Sequence, residues 1–135
     1  MLRTAVLLGL AGLCLSCCTT PERLAVPPLP ADGQGVSYAD ILTRLRLQSG
    51  SANEAFFVDD FPQLASRARD IEQTAAYLPN ATDAPSPAQP RLATESARLT
   101  AEARRLAGAA DSKNDDQIRD SLRKIHTQIR TLPAP

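Results

Sequence analysis

The sequence has no tryptophan, one histidine and one methionine, and its three cysteines all lie between positions 14 and 18. Beyond position 18 there is no thiol, which excludes a disulfide, a cysteine-ligated metal and a nucleophilic cysteine from the rest of the chain. A glycine-rich phosphate loop and a Gly-x-Ser-x-Gly nucleophile motif are also absent. Because no complete catalytic constellation is present, we expect a protein that is not an enzyme.

An excess of charge is lacking as well, since 15 basic side chains balance 15 acidic ones. Two tyrosines and three phenylalanines make up the aromatic residues. Proteins that bind nucleic acids usually carry a basic surface, and those that bind single strands also stack bases on aromatic side chains. The composition therefore predicts no nucleic-acid partner.

Residues 1–16 have the pattern of a signal peptide, with Arg3 as the positive start and an apolar run too short to span a membrane permanently. The run ends in Leu13-Cys14-Leu15-Ser16-Cys17-Cys18, which resembles the lipobox of bacterial lipoproteins and implies export and acylation of a cysteine thiol. We assign acylation to Cys17, which follows Ser16. Cys18, which has Leu15 three positions before it, is the alternative, and an ordinary secretory signal is the alternative to a lipobox.

Residues 17–35 form the expected lipid anchor and a tether rich in proline and glycine. Proline lacks a backbone donor and restricts φ, so this composition favours an extended linker over a helix. The lipobox resemblance, without an aspartate just after the cysteine, implies anchoring at the periplasmic face of the outer membrane. The membrane is then a partner through the N-terminal lipid.

Residues 36–132 contain four segments in which apolar residues recur every three or four positions, as on one face of an amphipathic helix. We place the helices at about 37–49, 59–78, 91–110 and 115–132. Ser37 is the expected cap of the first helix, Gly50 its expected end and Pro79 the end of the second, whereas residues 50–58 are compatible with helix or loop. Short connections favour an all-α, antiparallel up-down-up-down four-helix bundle.

The apolar faces of these helices predict the core. Tyr38 and Tyr77 lie at the helix borders, where we expect half-buried packing residues. The predicted faces comprise Tyr38, Leu42 and Leu45; Phe57, Phe61, Leu64, Ala68, Ile71, Ala75 and Leu78; Leu92, Ser96, Leu99, Ala103, Leu106 and Ala110; and Ile118, Leu122, Ile125, Ile129 and Leu132.

His126 is the only histidine, so it would have to carry any imidazole chemistry. It follows Ile125 and lies one turn from Leu122 and Ile129, at the border of the apolar face. We interpret it as a boundary residue with one ring nitrogen in water. The alternative is a ligand of haem or of a metal ion.

The last two helices carry a resemblance to a known family. Segments 91–99 (RLATESARL), 107–111 (AGAAD) and 118–127 (IRDSLRKIHT) are similar to the bundle of the cytochrome c′ type and its non-covalent b-type relatives. The resemblance extends from about Ser37 to Leu132. It implies a four-helix bundle of cytochrome c′-like ancestry.

The same resemblance bears on haem. The Cys-x-x-Cys-His motif that attaches haem in this family would fall on Ile129, Leu132 and Pro133, which implies that covalent haem has been lost. In the b-type register, His126 would be the axial ligand, followed by Arg130. The methionine that supplies the second ligand has no counterpart, because Met1 belongs to the leader.

These observations predict a non-enzymatic, lipid-anchored cell-envelope protein that serves as a binding or structural module, holds no cofactor and partners the membrane or another envelope protein. The alternative is a haem- or metal-binding protein that uses His126 for electron transfer or sensing. The oligomeric state stays open.

Overall fold

The computed structural model describes residues 29, 35–86 and 88–135. These residues form four α-helices and one short 3₁₀ helix, without a strand, which confirms the all-α prediction. The helices are α1 (Tyr38–Phe57), α2 (Phe61–Ala75), the 3₁₀ helix (Leu78–Asn80), α3 (Gln89–Asp111) and α4 (Asp115–Thr131). Each α-helix packs on the next along the chain, and α4 packs back on α1. The predicted signal peptide, Cys17, its alternative Cys18 and most of the tether lie outside the described residues.

The core forms where the apolar faces of the four helices meet. Large aliphatic side chains from every helix are fully buried there, and each such burial contributes about 1.5–3 kcal/mol to folding. Nearly all of the predicted face residues belong to this core. The fully buried large residues include Leu42, Leu45, Leu64, Ile71, Leu78, Leu99, Leu106, Ile118 and Ile125.

Helix α1 continues through Gly50, so the prediction that this glycine ends the helix is wrong. Residues 50–57 are helical, and Val58 is the C-terminal cap. A glycine inside a helix costs about 1 kcal/mol. The burial of Ala52 and Ala55 on the added turns helps to offset that cost.

Phe57 is the last residue of α1 rather than part of the apolar face of α2, and its side chain is 76% exposed. The prediction that Phe57 and Phe61 share one apolar helix face is wrong, because a turn separates α1 from α2. Helix α2 begins after Asp60, whose carboxylate accepts a hydrogen bond from the Gln63 N–H at 3.0 Å. Pro62 occupies the first turn, where its missing donor costs nothing.

Helix α2 ends at Ala75, three residues before the predicted boundary. Pro79 lacks the N–H that would bond to the carbonyl of Ala75 in a continuing helix. The hydroxyl of Ser96, on α3, donates to that carbonyl instead, at 2.8 Å in the buried interface. Ser96 therefore supplies the hydrogen bond to the Ala75 carbonyl that Pro79 cannot supply.

The α1–α2 and α3–α4 connections have the same construction. In the first, the Asp60 N–H donates to Ala55 O at 2.9 Å and Asp59 has a φ of 56°. In the second, the Asn114 N–H donates to Ala109 O at 2.9 Å and Lys113 has a φ of 51°. In each connection a residue with positive φ ends the first helix, and the residue after it caps the next helix with its side chain. Asn114, for example, accepts a hydrogen bond from the Gln117 N–H at 3.1 Å.

Tyr38 is fully buried, so the expectation that it is half-buried is wrong, whereas Tyr77 is half-buried as predicted. The Tyr38 hydroxyl donates to Pro133 O at 3.0 Å, just beyond the end of α4. Its backbone N–H donates to Thr82 O at 3.1 Å and lies 3.1 Å from Asp83 Oδ1. These partners draw the ring inward at the start of α1, and burial raises the pKa of the phenol above its ordinary value, although nearby Arg46 opposes the shift.

Candidate ligand-binding groove

A groove of about 710 Å³ runs between α1 and α4. These two helices have the sparsest contacts of the four neighbouring pairs of α-helices. Volumes of this size are common for small-molecule sites. The walls are formed by Arg46, Ser49, Gly50, Asn53, Phe56, Phe57 and Asp59 on one side and by Asp115, Arg119, Leu122, Arg123 and His126 on the other.

The α1 wall consists of residues spaced three and four apart, which places Arg46, Ser49, Gly50 and Asn53 on one helix face. Three of the four are small or short polar residues. A Cβ added at Gly50 would meet no atom within 4 Å. This face therefore leaves space beside α4 instead of filling it.

The α4 wall also follows one helix face, through Arg119, Leu122, Arg123 and His126. Leu122 is buried and provides apolar surface, whereas the other three are exposed. His126 thus lies on the rim of the groove. Arg130, one turn further along α4, is exposed and does not line it.

Arg123 shares its charge with a network between α3 and α4. Its Nη2 donates to Asp120 Oδ1 at 2.8 Å, Lys124 Nζ lies 2.8 Å from Asp120 Oδ2, and Arg105 Nη2 lies 3.5 Å from the same oxygen. Hydrogen bonds from Lys124 and then Arg123 hold the pKa of the Asp120 carboxyl below its ordinary value. Asp120 thus partly neutralises Arg123 and holds it beside the groove.

Two aromatic rings lie at the end of the groove away from His126, where α1 ends and α4 begins. The Arg119 guanidinium lies over the Phe56 ring, 5.7 Å from its centroid, and the Phe56 and Phe57 centroids are 6.3 Å apart. Phe56 is half-buried and Phe57 is mostly exposed. This end offers apolar surface, with the carboxylates of Asp59 and Asp115 beside it.

Among the residues that the structure describes, no group of three or more histidine, cysteine, aspartate or glutamate side chains could hold a metal ion. None of the described helices combines the length and apolarity needed to cross a membrane.

Comparison with models of known families, with curated proteins and with solved structures finds no match to this chain. The resemblance to cytochrome c′-type bundles therefore stays a prediction from the sequence.

The sequence pattern does not reveal the groove, because Gly50 predicts a helix end at this position. Had α1 been extended past this glycine, the small and polar residues at positions 46, 49, 50 and 53 would have fallen on one face. A helix face of this kind beside an apolar core is the signal that could have located the groove. The sequence singles out His126, which lines the groove, but not the residues across from it.

Proposed function

We propose that the chain is a non-enzymatic, lipid-anchored module of the cell envelope that binds a ligand in the groove between α1 and α4. It is acylated at Cys17, with Cys18 as the alternative, and faces the periplasm from the outer membrane. Its ancestry is cytochrome c′-like, with loss of covalent haem. The membrane is one partner and another envelope protein is the second.

The proposal includes an antiparallel up-down-up-down arrangement, which contacts between neighbouring helices support. The start of α1 reaches the end of α4 through Tyr38 and Pro133. The end of α2 meets the first part of α3 through Ala75 and Ser96. Lys124 on α4 lies 3.7 Å from Glu102 on α3, a pairing expected when the two helices run in opposite directions from a short turn.

The observation that carries the proposal is the groove of about 710 Å³ between α1 and α4, which Gly50 lines without a side chain. Bundles close their seams with apolar side chains unless the space serves another purpose, because empty apolar volume costs stability. Here α4 places Arg119, Arg123 and His126 beside the apolar Leu122, and Asn53 adds an amide on the α1 wall. These charged and polar side chains can bind polar groups of a ligand. The groove is thus built to receive a ligand.

The anchor is tested by fractionating cells that produce Cys17→Ser, with Cys18→Ser as the matched control. We expect Cys17→Ser to leave the membrane fraction, because its thiol is the acyl acceptor, and Cys18→Ser to remain there. Mass spectrometry of the N-terminal peptide identifies the acylated residue. Acylation at Cys18 would contradict the assignment of Cys17, and the absence of acylation from both would contradict the anchor.

Ligand binding is tested by native mass spectrometry of the full chain isolated from its own host. Gly50→Leu places a side chain in the groove, whereas Gly108→Leu makes the same change on α3, where an added Cβ also meets nothing within 4 Å. We expect the original protein and Gly108→Leu to carry a bound small molecule that Gly50→Leu has lost. Equal spectra for all three proteins would contradict a binding groove.

The second candidate is haem or metal binding through His126, which the position of this residue in the groove wall favours. The donor set opposite fits haem iron poorly. Arg46, Ser49, Gly50 and Asn53 provide neither sulfur nor imidazole, so His126 would be the only strong protein ligand to the iron in this groove.

A haemin titration of the original protein and His126→Gln separates the two candidates. We expect no difference in the Soret region between them, and a change in unfolding free energy below about 1 kcal/mol, because an exposed imidazole makes few contacts. A sharp Soret shift in the original protein that is absent from His126→Gln would establish the haem alternative.

A further inference from the structure

The two ends of the groove differ in charge. Tyr38 near the start of α1 bonds to Pro133 beyond the end of α4, and Phe56 near the end of α1 contacts Arg119 near the start of α4. Arg46 is therefore level with the part of α4 that carries His126. The acidic residues of the groove, Asp59 and Asp115, lie at the opposite end.

The basic end has unused donors. Arg46 and His126 have no hydrogen bond or ion pair with any other residue that the structure describes. Arg123 gives one nitrogen to Asp120, and its side chain is 77% exposed. Guanidinium groups bind carboxylate and phosphate oxygens with paired hydrogen bonds, so this end suits an anionic head group.

Beyond the basic end, Leu122, Phe56 and Phe57 offer apolar surface to a chain. From Arg46 to Phe56 the α1 wall rises about 15 Å at the spacing of an α-helix. Gly50, where an added Cβ would meet nothing within 4 Å, lines the groove together with the buried Leu122. At the aromatic end the two carboxylates of Asp59 and Asp115 outnumber the single cation Arg119, which favours an anion with its head at Arg46.

We infer that the ligand of this groove is a small single-chain amphiphile, with a carboxylate or phosphate head at Arg46, Arg123 and His126 and an apolar chain directed toward Phe56. This inference rests on the proposed binding function of the groove. The groove volume of about 710 Å³ lies within the range of small-molecule pockets, which favours such a ligand over the surface of a protein partner.

The single histidine gives a direct readout in the full chain. The imidazole resonances of His126 are followed by NMR, with the full chain in a nonionic detergent, while octanoate or octyl phosphate is added. Octanol supplies the chain without the charge, and acetate supplies the charge without the chain. We expect saturable shifts with octanoate and octyl phosphate, and much weaker effects with octanol and acetate.

Variants locate the binding site. Arg46→Gln removes an exposed cation and should weaken octanoate binding about tenfold, the loss expected when one charge-assisted contact disappears. Gly50→Leu should abolish the shift, and Gly108→Leu should leave it unchanged. Far-ultraviolet circular dichroism confirms that each variant is folded.

Three outcomes would overturn the inference: equal responses to octanol and octanoate, an Arg46→Gln variant that binds as the original does, or a failure of both anions to bind. Failure of both anions, with a native ligand that Gly50→Leu still loses, would reject the amphiphile and retain the binding groove. Failure of both anions without such a ligand would reject both proposals. Response to only one of the two anions would identify the head group and support the inference.

Discussion

The seam between α2 and α3 and the seam between α1 and α4 are built from helices with the same periodicity, yet the first is closed and the second is open. Buried alanines on α2 and α3, such as Ala68 and Ala103, lie among buried leucines, and these helices have the most extensive contacts in the domain. At the open seam, Ser49 and Gly50 face a wall of mostly long charged side chains. Small residues therefore close a seam only where large apolar residues oppose them.

The largest expected effect is at the closed seam. Leu99→Ala should lower the free energy of unfolding by about 2–5 kcal/mol, because it leaves a cavity in a tightly packed interface. Ile125→Ala, at a fully buried position on α4 outside this seam, should cost a similar amount. Chemical denaturation measures both, with Leu47→Ala as the control because Leu47 is 46% exposed. Equal midpoints for Leu99→Ala and Leu47→Ala would show that the core is placed wrongly.

Ser96→Ala tests the polar contact that completes the closed seam. It removes the donor to the Ala75 carbonyl, which Pro79 cannot replace, and should cost about 1–3 kcal/mol. Ser66→Ala, at an exposed position on α2, is the control and should change stability by less than about 0.5 kcal/mol. If both variants unfold at the same denaturant concentration, the Ser96 bond contributes nothing.

Tyr38→Phe loosens the open seam where the start of α1 meets the end of α4. Loss of the bond to Pro133 should cost about 0.5–1.5 kcal/mol near neutral pH. Because burial raises the pKa of this phenol, its contribution is fully present below the ordinary tyrosine pKa and is lost as pH rises through the folded value. Unfolding measured from neutral to alkaline pH should show the difference between the two proteins shrinking above about pH 10. A constant difference would contradict the role of the phenol.

Gly50→Ala gives the smallest expected effect, and it should raise the free energy of unfolding, whereas the preceding changes lower it. The expected gain is about 0.5–1 kcal/mol, because alanine loses less backbone entropy than glycine in a helix. The added methyl group would meet no atom within 4 Å. Gly108→Ala on α3 should give a similar gain. A loss of stability in Gly50→Ala alone would show that the α1–α4 seam is closed at this point.

Much of the closed seam could be predicted from the sequence, and little of the open one. Leu64, Ile71 and Leu99 recur at helical spacing, and periodicity alone places them in the core. Gly50 has the same local signature whether it ends a helix or lies within one, and only the packing of Ala52 and Ala55 settles the outcome. Local pattern therefore identifies residues that fill space, whereas a groove depends on what the partner helix places opposite.

The helices on either side of the groove are also the two that stand furthest apart along the chain, and the Tyr38–Pro133 bond that joins them links residues 95 positions apart. Closing so long a loop costs more entropy than pairing α1 with α2 or α3 with α4, so we expect contacts between α1 and α4 to form late in folding. The same contacts are sparse and are expected to open first in the native state. A ligand that contacts both walls would therefore stabilise this one seam more than the rest of the domain.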